Sequence, residues 1–227
     1  MAETEDHRVR VARERRHRMR ARLLNGVMTS YARRRPQYPP SVEDVVEEAD
    51  VSRATFYKYF NSVEEAIAAI GRELVDEMVA NLISLYGDKN DAFFRLTTGI
   101  QLFMLRSVID PQWGAFVART DELAQDTEPL KGITAHLIEA RRQGFLTFEE
   151  AEAAATLTVG TMMEAIRFMV RSGQRGRPYV EELSAMILRG LGLSMDKART
   201  VVQERWAFIE TVAPGRLSWW RDPWLKD

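Results

Sequence analysis

The sequence SVEDVVEEADVSRATFYKYF, from Ser41 to Phe60, has the pattern of two short helices separated by a tight turn. In its first half, apolar residues recur at the spacing of one helix face, and Ser41 is placed to cap that helix. Asp50 lies where the pattern breaks, and Asp tolerates the left-handed backbone of a turn better than most residues. Ser52 is placed to cap a second helix, which we expect to run from Arg53 to about Phe60.

The second helix has one apolar side and one side that donates hydrogen bonds. Phe56 and Phe60 are four residues apart, so they lie on one face and can be buried together with Val51. So short a helix is not stable alone, and this apolar side must fix it against its neighbours. The opposite side carries a cation, a hydroxyl and phenols, which suit phosphates and the base edges of a DNA major groove. The pattern predicts a helix-turn-helix DNA-binding unit, and the alternative is a helical hairpin with a solvated polar face.

The longer run VEDVVEEADVSRATFYKYFNSVEEAI resembles the DNA-binding signature of the tetracycline-repressor (TetR) family of bacterial transcription regulators. That signature has a helix, an Ala-Gly-Val-Ser-like turn and a Thr-(aromatic or Leu)-Tyr-x-(His or Tyr)-Phe run. The residues that match it in register are Ala49, Val51, Ser52, Thr55, Phe56, Tyr57, Tyr59 and Phe60. Asp50 replaces the usual turn Gly, and Val63 replaces the usual phosphate-binding Lys at the start of the next helix. Arg53, Lys58 or the basic N-terminal segment can supply the phosphate contact instead.

The resemblance implies that the second helix of the motif reads DNA. Tyr57 is similar to the family's phosphate-contacting Tyr, and Arg53 and Thr55 correspond to its base-facing positions. The DNA-binding residues that we expect are Ser41, Arg53, Ala54, Thr55, Tyr57, Lys58 and Tyr59.

Positive charge is concentrated at the N-terminal end. Residues 1–40 contain eleven arginines, no lysine and four acidic residues, a net charge of +7, whereas the whole chain carries −1. A helix is expected from Arg8 to about Arg34, and its arginines form either a solvated face or an electrostatic footprint for DNA. Beside a DNA-reading motif we favour phosphate contact, above all for the earliest arginines, Arg8, Arg10, Arg13 and Arg15.

The rest of the chain keeps a helical pattern. It has 227 residues, of which 45% are apolar, and shows neither strand alternation nor an internal repeat. The expected fold is all-α: a three-helix DNA-binding head with the helix-turn-helix, residues 1–61, joined to a larger helical ligand-binding and dimerisation body, residues 62–227. A long helix from Ser62 to Tyr86 is expected to connect the two.

Motifs for catalysis, metal binding and membrane insertion are absent from the sequence. It contains no GxSxG, Walker loop, HExxH or GxGxxG, no cysteine, and only three scattered histidines. We therefore expect no enzyme activity, no cofactor and no metal site. No run of about eighteen apolar residues and no secretory signal are present, so a cytoplasmic protein without membrane contact is expected.

Large, soft apolar side chains are concentrated in the middle of the chain. Methionine and aromatic residues form ordinary cores but also line adaptable binding cavities. Core is the simpler interpretation, and the resemblance favours a cavity, because the family binds small effectors in this helical region. The ligand-binding residues that we expect are Met78, Leu82, Phe103, Met104, Trp113, Phe116, His136 and Met163.

Two later helices, near residues 162–170 and 180–191, carry wide apolar stripes that suit either an intrachain core or an interface. The family dimerises through its two corresponding helices, which implies a homodimer. The interface residues that we expect are Met162, Ile166, Met169, Leu183, Met186, Ile187 and Leu191. Trp219, Trp220 and Trp224 near the end of the sequence are expected to pack on the body or on a partner subunit.

These features predict a TetR-like transcriptional regulator: a homodimeric repressor released from double-stranded operator DNA by a small, largely apolar effector. The alternative is a helical enzyme or binding protein that acts on an apolar ligand without binding DNA. The lack of a catalytic constellation counts against that alternative.

Overall fold

The computed structural model describes residues 7–33, 39–89, 91–118, 128–173 and 176–224. Over these ranges the chain forms ten α-helices, one 3-10 turn and no strand, which confirms the all-α prediction. The helices are α1 (His7–Arg33), α2 (Val42–Glu48), α3 (Arg53–Tyr57), α4 (Val63–Tyr86), α5 (Ala92–Ile109), α6 (Pro111–Val117), α7 (Glu128–Arg142), α8 (Ala151–Ser172), α9 (Arg177–Gly190) and α10 (Met195–Val212).

The chain divides into two compact units, an N-terminal unit of Met1–Glu73 and a C-terminal unit of Leu74–Asp227. The division falls inside α4, later than the joint after residue 61 that the sequence suggests. The first half of α4 belongs to the N-terminal unit, where Val63 is buried and Glu73 forms an ion pair with Arg20 of α1.

In the N-terminal unit, α1 packs against α2, and α2 packs against α3. The second half of α1 supplies buried side chains, including Leu23 and Val27, whereas its first turns are largely exposed. Gly26 permits the close approach of α1 and α2, because a Cβ atom there would lie 3.0 Å from both the Val45 carbonyl oxygen and the Ala49 Cβ atom. The long first helix thus continues beyond the packed part of its unit.

In the C-terminal unit, α5 is the central helix. It packs against α6, α7, α8, α9 and α10, and most of its residues are buried, as its apolar residues on more than one face predict. By length and composition alone, α5 and α8 could cross a membrane, but 83% of the α5 window and 44% of the α8 window are buried inside the protein. The burial of α5 is typical of the core helix of a globular domain, whereas α8 is buried on one side only.

The tryptophan-rich segment after α10 packs on the C-terminal unit of its own chain. Trp219 lies against the Arg106 guanidinium, with 4.5 Å from the ring centroid to Cζ. Arg221 Nη2 donates to the Ile109 carbonyl oxygen at the end of α5 over 2.6 Å. The residues of the apolar cluster beneath the segment are Met78, Leu82, Leu85, Leu102, Phe103, Leu105, Ile109, Trp206, Phe208, Ile209, Val212, Ala213 and Leu217.

Candidate nucleic-acid interface

Serine caps begin both helices of the motif. Ser41 and Asp44 form a reciprocal capping box at the start of α2: the Ser41 hydroxyl accepts from the Asp44 N–H at 3.3 Å, and the Asp44 carboxylate accepts from the Ser41 N–H at 2.7 Å. Ser52 caps α3 and accepts from the Thr55 N–H at 3.1 Å. The helix starts therefore lie where the serines predict, although α3 ends at Tyr57, earlier than expected.

The turn between α2 and α3 has a left-handed residue at Asp50. Its φ of 49° is the only positive φ of a non-glycine residue in the described part of the chain. This is the position at which the family signature has Gly, the residue that adopts a positive φ at the lowest cost. Arg22 of α1 donates to the Asp50 carboxylate at 2.8 Å, which neutralises the negative charge that the substitution introduces.

Two phenylalanines fix the buried side of α3. Phe56 is fully buried and Phe60 nearly so, with their ring centroids 5.8 Å apart. The Arg20 guanidinium lies 5.7 Å from the Phe60 ring centroid, a cation–π distance. A five-residue helix has little stability of its own, so these contacts and the Ser52 cap hold its outer face in place.

The outer face of α3 carries the residues that the motif assigns to DNA. Arg53, Ala54, Tyr57 and Lys58 are exposed, and Thr55 and Tyr59 are half-buried. Ser41 is exposed as well, but its hydroxyl also donates to Asp44 at 2.6 Å as part of the α2 cap.

Arg53 is held by two neighbours. Its Nη1 atom lies 2.5 Å from the Glu43 Oε1 atom of α2. A hydrogen bond to the Tyr57 side chain, together with the negative charge of Glu43, raises the pKa of Arg53. The guanidinium of this base-facing candidate is therefore oriented in the free protein. The ion pair could not be predicted from spacing, because it depends on the angle between α2 and α3.

A cationic groove runs between α1 and α3. Its volume is about 770 Å³, and its lining residues are Val11, Ala12, Arg15, Arg16, Met19, Lys58 and Tyr59. In the described part of the chain, Arg15, Arg16 and Lys58 form no ion pair, whereas other α1 arginines do: Arg20 with Glu73, Arg22 with Asp50, and Arg33 with Glu48. Unneutralised cations beside an exposed polar helix suit the phosphates of a nucleic acid.

The groove on the other side of α3, between α2 and α3, is acidic. Its volume is about 680 Å³, and its lining residues are Glu43, Val46, Glu47, Asp50, Val51, Ser52 and Arg53. Carboxylates repel phosphate but can accept hydrogen bonds from base edges. Of the two grooves, only the one between α1 and α3 therefore has the charge that suits phosphates.

The start of α4 offers no replacement for the usual lysine. Val63 is buried, and the first turn carries Glu64 and Glu65. Hydrogen bonds from the Glu64 backbone N–H and from the Ser62 side chain lower the pKa of Glu64, so its negative charge is favoured at this helix end. Of the substitutes that the sequence suggests, Lys58 and Arg15 lie together in the cationic groove, while Arg53 lines the acidic one.

The expected ligand-binding residues all lie in the C-terminal unit. Met78, Leu82 and Phe103 belong to the cluster beneath the tryptophan segment, and the Phe103 and Trp113 rings meet edge to face with centroids 5.1 Å apart. Met104, Phe116 and Met163 are buried in the same unit.

His136 is not among the residues of that cluster. It is half-buried on α7, and its pKa is lowered first by burial and then by the charge of Arg95. A shared ligand site of His136 with Phe103 and Trp113 stays a prediction.

Most of the expected interface residues are buried within the single chain. Those buried are Met162, Ile166, Met169, Ile187 and Leu191; Leu183 is half-buried and Met186 is exposed. The apolar stripe of α8 and α9 thus packs largely on their own unit. Other large apolar side chains of α8 are exposed, namely Leu157 and Phe168, and the Phe168 ring contacts that of Tyr179 with centroids 5.4 Å apart.

No family model matches the chain, and no curated protein matches it in sequence. Solved structures do match its fold. A structure of RolR in complex with the ligand resorcinol matches with a TM-score of 0.60 at 22% identity, over 83% of this chain and 95% of that one. A TetR family transcription regulator from Shewanella sp. PV-4 matches with a TM-score of 0.65 at 13% identity, over 78% and 99% of the two chains.

The fatty acid degradation regulator FadR from Bacillus halodurans matches with a TM-score of 0.64 at 18% identity, over 77% of this chain and 97% of that one. The second and third of these proteins are regulators by name, of transcription and of fatty acid degradation. The chain therefore has the fold of TetR-family regulators, which confirms at the level of the fold what the motif from Ser41 to Phe60 implies.

Proposed function

We propose that the protein is a cytoplasmic, homodimeric transcriptional regulator of the TetR type, a repressor that a small, largely apolar effector releases from operator DNA. The observation that carries this proposal is the outer face of α3. It presents Arg53, Tyr57 and Lys58 to solvent, on a fold shared with transcription regulators.

The chemistry of α3 and its surroundings supports DNA as the partner. An exposed cation and phenols can contact base edges and phosphates in a major groove, and the cationic groove beside them can receive the adjacent backbone. Arg15 and Arg16 in that groove have no ion-pair partner in the described part of the chain. A solvated helical hairpin gives no reason for this concentration of positive charge beside α3.

The C-terminal unit supports an apolar effector that carries a hydrogen-bonding group. Met78, Leu82 and Phe103 provide soft apolar surface. On α5, the Thr98 hydroxyl and the Gln101 Oε1 atom are buried without a hydrogen-bond partner among the described residues. Resorcinol, the ligand in the RolR structure, combines an apolar ring with hydroxyl groups. An effector of that kind would satisfy polar atoms that are costly to leave unpaired.

The exposed apolar side chains of α8 and α9 support a homodimer. Leu157, Phe168 and Met186 are each at least 40% exposed, and large exposed apolar side chains on adjacent helices favour a subunit contact. In a two-fold dimer, two reading helices enter successive major grooves when they lie about 34–36 Å apart. We place the interface on these outward residues rather than on the buried ones of the same helices.

Release by an effector needs a difference in affinity between two states of the dimer. A ligand that binds more tightly to the state with the unsuitable spacing shifts the population toward it without touching DNA. The continuous helix α4 contributes residues to both units and is their covalent connection. We therefore propose α4 as the element through which the ligand acts.

A mobility-shift assay tests the proposed function directly. The DNA upstream of the protein's own gene should shift at moderate salt, and excess random DNA should not remove the shift. Small molecules that copurify with the protein, identified by mass spectrometry, should abolish the shift when added back. A protein that gives no specific shift while retaining a bound apolar molecule would favour the alternative, a helical enzyme or binding protein.

A further inference from the structure

The Glu43–Arg53 ion pair is an unexpected feature of a surface meant for a polyanion. Arg53 is the single cation among the residues that line the acidic groove, and its Nη1 atom lies 2.5 Å from Glu43 Oε1. The side chains of both residues are about 60% exposed, so the pair lies on the outside of the motif, where DNA would approach. An exposed pair of this kind contributes little to folding stability.

On the premise that the protein binds DNA as proposed above, we propose that Glu43 is a specificity-determining residue that positions Arg53 for one base of the operator. A guanidinium has five N–H donors in a planar fork. Glu43 engages one edge of that fork and Tyr57 contacts it as well. The Arg53 side chain is 61% exposed, so its other donors stay accessible, and a guanine can accept two hydrogen bonds from them.

Orientation in the free protein matters because arginine is long and flexible. An unrestrained Arg53 would lose rotamer freedom on binding and could reach several neighbouring phosphates and bases equally well. A guanidinium held by Glu43 has already lost that freedom, so it gains most from a base placed where its donors point. The expected effect of Glu43 is discrimination between sequences.

The same carboxylate weakens binding to DNA in general. A negative charge on the binding surface repels phosphates, and it competes with them for Arg53. Removal of the charge should therefore have two opposite effects: tighter binding to random DNA and a smaller preference for the operator. A residue that only stabilises α2 would not produce this combination.

Glu47 is a matched control on the same helix. It lies one turn after Glu43, is exposed, lines the same acidic groove and forms no ion pair with Arg53 in the described part of the chain. Glu47→Gln changes the net charge of the groove by the same amount as Glu43→Gln. The two variants differ in contact with Arg53, so any difference in sequence preference reports on that contact.

The test is selection from a randomised duplex library with the wild type, Glu43→Gln and Glu47→Gln, followed by affinity measurements on the selected operator and on random DNA. We expect Glu43→Gln to lower the ratio of operator to random affinity by about five- to tenfold, below the discrimination of a full bidentate contact. The loss should fall on one base pair in each half-site. Glu47→Gln should tighten binding to both DNAs and leave the ratio unchanged.

Two further variants separate position from charge and from folding. Glu43→Asp keeps the charge but shortens the reach, so it should lose preference without gaining affinity for random DNA. In the Arg53→Ala background, Glu43→Gln should change the ratio no more than Glu47→Gln does, because the coupled partner is gone. Thermal unfolding of each variant should remain near that of the wild type.

Equal ratios for Glu43→Gln and Glu47→Gln would overturn the role of Glu43 while leaving DNA binding intact. The same holds if Glu43→Gln lowers the ratio as strongly without Arg53 as with it. A wild-type protein that selects no sequence from the library would instead overturn the proposed function, and this inference with it.

Discussion

Arg22 of α1 joins the turn of the helix-turn-helix through Asp50. Its Nη2 atom donates to the Asp50 carboxylate at 2.8 Å and to the Asp50 carbonyl oxygen at 3.1 Å. Asp50 has a φ of 49°, so the contact fixes the residue whose backbone is least favourable in the motif. Asp50, which replaces the usual glycine, thus attaches the turn to α1.

We predict that Asp50→Ala destabilises the N-terminal unit by about 1–2 kcal/mol, because alanine tolerates the left-handed region poorly and cannot bind Arg22. Asp50→Gly should change stability by less than about 0.5 kcal/mol, since relief of strain offsets the removal of an exposed ion pair. Denaturant unfolding of the variants measures both values. A larger destabilisation by Asp50→Gly than by Asp50→Ala would contradict this account of the turn.

On the reading helix, Arg53→Ala should reduce the preference for operator over random DNA by about 1–3 kcal/mol if the guanidinium contacts a guanine. Tyr57→Phe should weaken binding to operator and random DNA, because a phosphate contact carries no sequence information, and should lower the preference less than Arg53→Ala, because its hydroxyl also contacts Arg53. Titrations of both variants against the two DNAs measure the effects. If both variants bind the two DNAs as the wild type does, α3 does not contact DNA.

Salt dependence tests the cationic groove. Replacement of Arg15 and Arg16 by Gln should lower the slope of log affinity against log salt by about one unit for each phosphate that the variant no longer neutralises. Arg33→Gln is the control, since Arg33 lies on the same helix but is paired with Glu48 and should leave the slope unchanged. An unchanged slope for the Arg15 and Arg16 variants would indicate that these arginines form a solvated helix face and do not contact phosphates.

A charge on the outward side of α8 or α9 tests the dimer. Phe168→Glu and Met186→Glu should each convert the proposed dimer to a folded monomer, because a carboxylate at an apolar interface is desolvated without a partner. Light scattering after gel filtration measures the mass. Ile83→Glu, at an exposed apolar residue of α4, is the control and should stay dimeric. A dimeric mass for both the α8 and the α9 variant would place the contact elsewhere.

The tryptophan segment should stabilise the C-terminal unit. Trp219→Ala should cost about 2 kcal/mol, because it removes apolar packing and the 4.5 Å contact with the buried Arg106 guanidinium. Arg106 would keep its ion pairs with Glu77 and Asp110, at 3.7 and 3.5 Å, but would lose the aromatic ring that covers it. Denaturant unfolding measures the destabilisation, and the exposed Ser218→Ala serves as the control. An unchanged stability would show that the segment contributes little to the fold.

Local chemistry made much of the fold predictable from the sequence. Ser41 and Ser52 begin their helices because side-chain caps act over three residues, and Pro111 begins α6 for a similarly local reason. The exposed face of α3 was predictable as well, because Phe56 and Phe60 are four residues apart and are buried together, which leaves Arg53, Ala54 and Tyr57 exposed.

Features that depend on the packing of distant segments were not predictable. Ile166 and Phe168 are both large and apolar, and nothing local distinguishes the buried residue from the exposed one on α8. The Glu43–Arg53 pair depends on a helix-crossing angle, and Arg106 meets Trp219 across more than a hundred residues of chain. Sequence spacing carries no information on such contacts.

The central position of α5 has a consequence for local opening of the backbone. Because α5 packs against five other helices, its amides can reach solvent only when most of the C-terminal unit comes apart. The five-residue α3 lies at the opposite extreme, since release of its Ser52 cap and its phenylalanine packing is enough to open it. Protection against hydrogen exchange should therefore be much greater at α5 than at α3, so that binding of DNA would be visible as slower exchange at α3.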